Sequence, residues 1–107
     1  ILALHGYLPL GTELPVDEIY TLHPFHAAVY RKDLHMKPLG GFMPKEALST
    51  QQALMGMTLW AAKANRMEDK VGSLESGKLA DYVVLDTDIV YEKYMLKTKV
   101  LTTALAE

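Results

Sequence analysis

Hydrophobic positions along the chain change their spacing at about residue 72. Before it they recur at helical intervals, and after it they alternate or run together. The strongest helical signal covers residues 48–66. Ser49 with Gln52 three residues later forms a capping box, and Ala53, Met57, Trp60, Ala61 and Ala64 then make one stripe. Leu54, Met55, Leu59 and Ala62 extend apolar character around most of the helix, so it calls for cover on several sides. An earlier helix gathers from Leu22 to Arg31, with Asp17 as a candidate N-cap and an end near Asp33, ahead of Pro38-Leu39-Gly40-Gly41. Pro24 stands early in it, consistent with a start near Leu22.

Residues 1–16 read as extended chain and loop, because Pro9, Pro15, Gly6 and Gly11 all weaken a strand. After Gly72, Glu75-Ser76-Gly77-Lys78 reads as a turn with Gly77 at positive φ. Leu79 to Asp86 then reads as a strand rich in β-branched and aromatic residues. Both its faces are mostly apolar, which predicts a central strand packed on two sides. A last strand is expected over Lys99 to Ala106. Two strands rarely stand alone, so a missing partner is expected.

Composition narrows the function classes. Half of the 107 residues are hydrophobic, which excludes a disordered chain. Eleven basic against thirteen acidic side chains give a net charge of −2, and a nucleic-acid binder needs a basic face. No apolar run approaches a membrane span, and residues 1–10 lack the basic n-region of a signal peptide. Nucleic acid and membrane are therefore not expected as partners. There is no cysteine, so thiolate metal sites and cysteine nucleophiles are excluded; a cytoplasmic setting is the expectation. Ile1 stands where Met would open a chain, and an apolar run precedes residue 107, so the chain is expected to be a fragment of a longer polypeptide.

Few residues are candidates for chemistry. Glu13, in Gly11-Thr12-Glu13-Leu14-Pro15, is a carboxylate in a loop after an apolar run, where a metal ligand or general base can project; otherwise it is a solvated loop acid. His23 and His26 lie three apart on a helix, but no third ligand stands nearby, and two partly exposed helix histidines are the simpler reading. His5 and His35 are lone loop histidines. Asp81 lies on an apolar strand face and should accept backbone N–H groups of the preceding turn. Trp60 and the six Met read as core filling, and Ser49 and Thr50 as a cap. There is no phosphate-binding glycine loop.

The segment GSLESGKLADYVVLD, Gly72 to Asp86, resembles the C-terminal signature of metal-dependent amidohydrolases. Upstream, Ala53, Leu54, Thr58, Ala61 and Ala62 match that superfamily's helix pattern. Leu10-Gly11-Thr12-Glu13-Leu14-Pro15-Val16 followed by Ala27-Ala28-Val29-Tyr30-Arg31-Lys32-Asp33 resembles amidohydrolase family 3, a group that includes YtcJ-like hydrolases and exoenzyme regulatory proteins labelled AepA.

The resemblance implies an α+β fragment: the last helices of an amidohydrolase (β/α)8 barrel plus strands of its small composite β-sandwich. Residues 1–66 would close the barrel domain, and residues 67–107 would supply the returning sandwich strands. It implies hydrolysis of an amide or other C–N bond of a small-molecule substrate by water activated on a divalent metal, zinc being the expected ion. Most metal ligands lie on strands absent here, so no metal is expected in the fragment, which should be inactive alone. One ligand position carries over, onto Glu13, as base and metal ligand. The family pattern has Asp there, one methylene shorter, and Pro9 interrupts the expected last barrel strand. Arg31 is either structural or a substrate contact. A regulatory or scaffolding amidohydrolase-like protein without hydrolase activity is the alternative, and a free-standing binding domain is a third reading. With the barrel removed, the Ala53/Met57/Trp60/Ala61 stripe and the strand edges would be uncovered, so a homo-oligomer is expected, exchanging Lys99–Ala106.

Overall fold

The computed structural model describes residues 1–16, 19–91 and 95–106. Asp17, the candidate N-cap, lies outside them. The chain opens on a single helical turn, α1 (Leu2–His5), where extended chain was expected. Gly6 closes this turn in the left-handed region (φ 75°) and returns its N–H to Leu2 O at 2.8 Å, so His5 ends a helix and is not in a loop. Residues 7–13 run without regular structure, as Pro9 and Gly11 predict.

Helix α2 (Leu22–Tyr30) presents Leu22, Phe25, His26 and Val29 along one side. Leu22, Phe25 and His26 are buried. The helix stops because Arg31 turns left-handed (φ 56°) and its N–H bonds to Ala27 O at 3.0 Å. The following loop folds back so closely that Phe42 N–H reaches Arg31 O at 2.7 Å. Only glycine fits beside this contact: a Cβ on Gly41 would meet Tyr30 O at 2.8 Å. A 3-10 turn, Pro44–Glu46, leads on to the next helices.

The long helix expected over residues 48–66 is two helices, α3 (Thr50–Met57) and α4 (Leu59–Ala64). Its start matches the sequence reading: Ser49 Oγ accepts from Gln52 N–H at 3.1 Å, and Gln52 Oε1 accepts from Ser49 N–H at 2.9 Å. The break falls on Thr58 (φ −121°, ψ −94°), whose hydroxyl donates to Leu54 O at 2.8 Å and diverts the backbone ladder. The break rotates the second half, so Ala53 and Ala62 are buried while Ala64 is exposed. The methionines are not mainly core filling either. Met36, Met43, Met55 and Met67 are exposed, whereas Met57 packs against the core.

Residues 65–81 are turns. Gly77 takes positive φ (92°) as expected, with Lys78 N–H bonded to Glu75 O at 3.1 Å. Gly72 (φ 94°) lies against α4, where a Cβ would stand 2.7 Å from the Ala62 Cβ.

Strand β1 (Tyr82–Leu85) pairs antiparallel with β2 (Val100–Ala104) in a two-stranded sheet. The register is Tyr82↔Ala104, Val83↔Thr103, Val84↔Thr102 and Leu85↔Val100, with an irregularity between Val84 and Leu85. The expected buried central strand is therefore shorter and uncovered: Val83 is 55% exposed and its neighbours Tyr82 and Val84 are also exposed. Its two apolar faces imply two layers of cover, and the described residues supply only one paired edge.

Asp81 and Asp86 tie the two ends of this sheet. Asp86 Oδ1 accepts from Lys99 N–H at 2.8 Å, which holds its carboxyl below the usual carboxylate range, with a further contribution from the Thr87 hydroxyl. Asp81 Oδ1 accepts from Ala106 N–H at 2.8 Å. Its partner is thus the far strand and not the preceding turn, because the pairing with β2 brings Ala106 alongside. Asp81→Ala should loosen the end of β2 at a cost of about 1 kcal/mol, read by urea melting and by faster amide exchange at Ala106. Unchanged exchange there would contradict this assignment.

The buried core is small and lies under α2. Leu22, Phe25, Ala53 and Ile89 form it, with Leu10, Tyr20, Leu48, Met57 and Leu85 packed around. Thus the core joins the loop before α2, the two middle helices and the end of β1. It also anchors the segment after Met95–Lys97, where the Tyr20 hydroxyl donates to Thr98 O.

Candidate functional site

Glu13 is exposed and sits on the loop that leads from α1 toward α2. The root of this loop is fixed from α3. Leu10 N–H donates to Gly56 O at 2.9 Å, and the Leu10 side chain lies directly over Gly56. A Cβ on Gly56 would stand 2.8 Å from Leu10 Cγ and 3.0 Å from Leu8 O, so a side chain there would push the loop away. Leu10 in turn packs on the core. A half-buried apolar residue therefore holds the loop three positions before the candidate carboxylate, and Pro15 stiffens it two positions after.

Beside this loop a hollow of about 500 Å³ opens between Gly11, His23, Pro24, Ala27, Lys32 and Asp33. A smaller one of about 170 Å³ lies nearby, lined by Leu10, Thr12, Thr21 and Met57. His23 stands at the rim with its ring edge-on to Tyr20, 4.7 Å between centroids. Asp33 Oδ1 accepts from His35 N–H at 2.9 Å and Lys37 N–H at 2.8 Å. The Lys37 bond, followed by the His35 bond, keeps the Asp33 carboxyl below the usual range, so it stays ionised and ordered at the hollow's edge.

The two histidines of α2 do not act as a pair. His23 lines the hollow, while His26 is buried and only 2% exposed, against the expectation of two partly exposed rings. Among the described residues no three His, Cys, Asp or Glu side chains stand together as a metal site. The side chains described therefore do not by themselves fit a catalytic metal, which needs about three protein ligands. Arg31 is engaged by the loop that follows α2. Its Nε donates to Phe42 O at 3.0 Å and its guanidinium lies over the Phe42 ring, 5.8 Å from the centroid. Sequence reasoning passed over Gly56, Lys32 and Asp33 as parts of this region. The signal for Gly56 was a glycine inside an otherwise strong helix, which marks a close approach.

A third hollow, of about 820 Å³, runs between α3, α4 and β1, with Leu54, Met55, Leu59, Leu74, Tyr82 and Val83 on its walls. It is apolar and open. No helix among the described residues is long and apolar enough to cross a membrane.

Comparison with known proteins decides the family. The model of the amidohydrolase family matches residues 5–98. The chain belongs to the amidohydrolase family. Family members generally use divalent metals, and the small α+β arrangement described above is consistent with part of such a domain. The chain is 40% identical over 84 residues to the protein LONG AFTER FAR-RED 3 of Arabidopsis thaliana, a match covering 78% of this chain and 14% of that protein. It is 48% identical over 48 residues to an imidazolonepropionase of Acinetobacter baumannii, covering 41% of this chain and 12% of the relative. An imidazolonepropionase of Pseudomonas aeruginosa is 51% identical over 41 residues, 38% of this chain and 10% of the relative. The chain thus spans at most 14% of the length of these relatives. No solved structure matches it.

Proposed function

We propose that the chain is the C-terminal part of a metal-dependent hydrolase that cleaves an amide or other C–N bond of a small molecule. The supporting observation is the family match over residues 5–98, together with imidazolonepropionases among the relatives. In this reading residues 1–66 close the barrel and residues 67–107 belong to a composite β-sandwich, whose other strands would cover the exposed faces of β1 and β2. Glu13 is the residue that this chain contributes to the reaction. Its exposed carboxylate, on a loop anchored at Leu10, supports this role: it would take the proton from an attacking water and return it to the leaving nitrogen. The metal, zinc by expectation, would be held mainly by residues outside 1–107. The same reading sees an oligomer in solution when the chain is produced alone, because β1, β2 and the α3–α4 face carry apolar surface.

A second reading keeps the fold and drops the chemistry. The longer Glu13, where the family pattern has Asp, favours a regulatory or scaffolding relative of the YtcJ-like and AepA-like kind.

Metal removal separates the two. The intact polypeptide containing these residues should lose hydrolysis of a cyclic or linear amide on chelation and regain it with zinc. Residues 1–107 alone should turn over nothing under either condition. Turnover by the intact protein that survives complete chelation would overturn the metal-dependent reading. A fully metallated intact protein that hydrolyses no amide would leave the scaffold reading in its place.

A further inference from the structure

One titratable group of α2 has no part in the proposed chemistry, and it is the most deeply placed polar side chain of the helix. His26 is 2% exposed, and its Nδ1 is buried without a hydrogen-bond partner among the described residues. Its ring lies 5.0 Å from the Tyr30 ring. A buried imidazole missing a partner at one nitrogen is tolerable while neutral. A proton added at Nδ1 would create a buried N–H with nothing to receive it, and a charge cut off from water.

The surroundings offer that charge little help. On its own helix and just beyond, His26 faces His23, Tyr30, Lys32 and Asp33. Helix α3, which packs against α2, carries no titratable side chain between Thr50 and Met57. The Met95–Lys97 turn, also packed on α2, brings only the exposed Lys97. On the approach to the helix stands Tyr20. Burial pushes the His26 imidazole below its usual value. A hydrogen bond with the Lys32 backbone opposes that push, as does Asp33, while the His23 and Lys32 charges reinforce it.

We propose that His26 makes α2 an acid-sensitive latch: the helix stays seated on α3 and the Met95–Lys97 turn while the ring is neutral, and is released when the ring takes a proton. Release would carry the site with it. His23, Pro24 and Ala27 of α2 form one wall of the hollow beside the Glu13 loop, and Phe25 on the same helix is the centre of the core. Acid would thus dismantle the candidate site through a residue that does not line it.

The sign follows from linkage. The folded chain binds its proton at lower pH than the unfolded chain does. Stability is therefore full above the ordinary histidine value of 6.5 and is lost as pH falls below it. Far-ultraviolet circular dichroism and Trp60 fluorescence, followed from pH 8 to pH 4, read the transition. His26→Phe keeps an aromatic ring of similar girth with no proton to take, and should move the midpoint down by about one pH unit or more. His23→Gln removes only a neighbouring charge and should move the midpoint far less than His26→Phe does. A midpoint unmoved by His26→Phe would overturn the latch. Should that variant fail to fold, ring-nitrogen NMR of the wild-type chain decides: His26 must take its proton together with the loss of α2. A His26 ring that titrates while α2 remains intact would also overturn it.

Discussion

Phe25→Ala should destabilise the chain by about 3–5 kcal/mol and lower its melting temperature by more than 10 °C, on the order of its whole margin of stability. Phe25 is fully buried, and the core around it is small: Leu22 one turn before it, Ala53 on α3, and Ile89 beyond β1. Truncation removes the largest apolar side chain among these. The vacancy cannot be refilled locally, since Ala53 has no atoms to spare and Leu22 is held on the same helix. The effect should reach the loop that carries Glu13, because Leu10 and Tyr20 pack on the same cluster. Urea melting at neutral pH gives the number, and amide exchange gives the reach. A loss under 1 kcal/mol would mean that the stability of the chain resides elsewhere than under α2.

This core was partly legible in the sequence. Leu22, Phe25, His26 and Val29 recur at the i, i+3, i+4, i+7 spacing of a buried helix face. The start near Leu22 agrees with α2, whereas the expected end near Asp33 overshoots, because Arg31 turns left-handed and stops the helix at Tyr30. The spacing also includes His26, and following the pattern over the residue type would have placed that histidine inside. The capping box was legible because all its parts lie within four residues. The break at Thr58 was not. Its cause is a hydroxyl turned back onto Leu54 O, and a threonine in an apolar helix reads the same whether it does this or not.

The strand shows the opposite failure. Tyr82-Val83-Val84-Leu85 reads as buried because apolar residues face both ways, and the strand and its partner are indeed present. Burial, however, belongs to whatever lies on top, and the described residues cover only the Leu85 end, where β1 meets the core. Asp81 was correctly expected to bond a backbone N–H, but its partner came from residue 106, twenty-five positions on, which no local pattern contains. The family was legible for a related reason: Gly72 to Asp86 is a run of turn glycines, charges and strand residues held together in sequence. No metal site is legible in the same way, and the described residues gather no ligand cluster.

Glu13→Gln in the intact polypeptide should cut kcat by about a hundredfold to ten-thousandfold with a small change in KM. The amide matches the carboxylate in size and leaves the loop as it is, but it cannot accept a proton from water at neutral pH. The root of the loop is held by Leu10 on Gly56, so the variant should stay folded. Glu13→Asp restores the residue that the family pattern has and draws the carboxylate back by one methylene. It should keep activity within about tenfold of wild type, since proton transfer needs hydrogen-bond reach and the loop offers some slack. The pair of variants carries the argument together: loss with Gln and retention with Asp assign a proton-transferring carboxylate to position 13. Full activity in both would remove Glu13 from the reaction and leave it a solvated loop acid. Equal loss in both, with the melt unchanged, would show that the length of the side chain matters as much as its charge, as expected of a group whose distance to a metal is fixed.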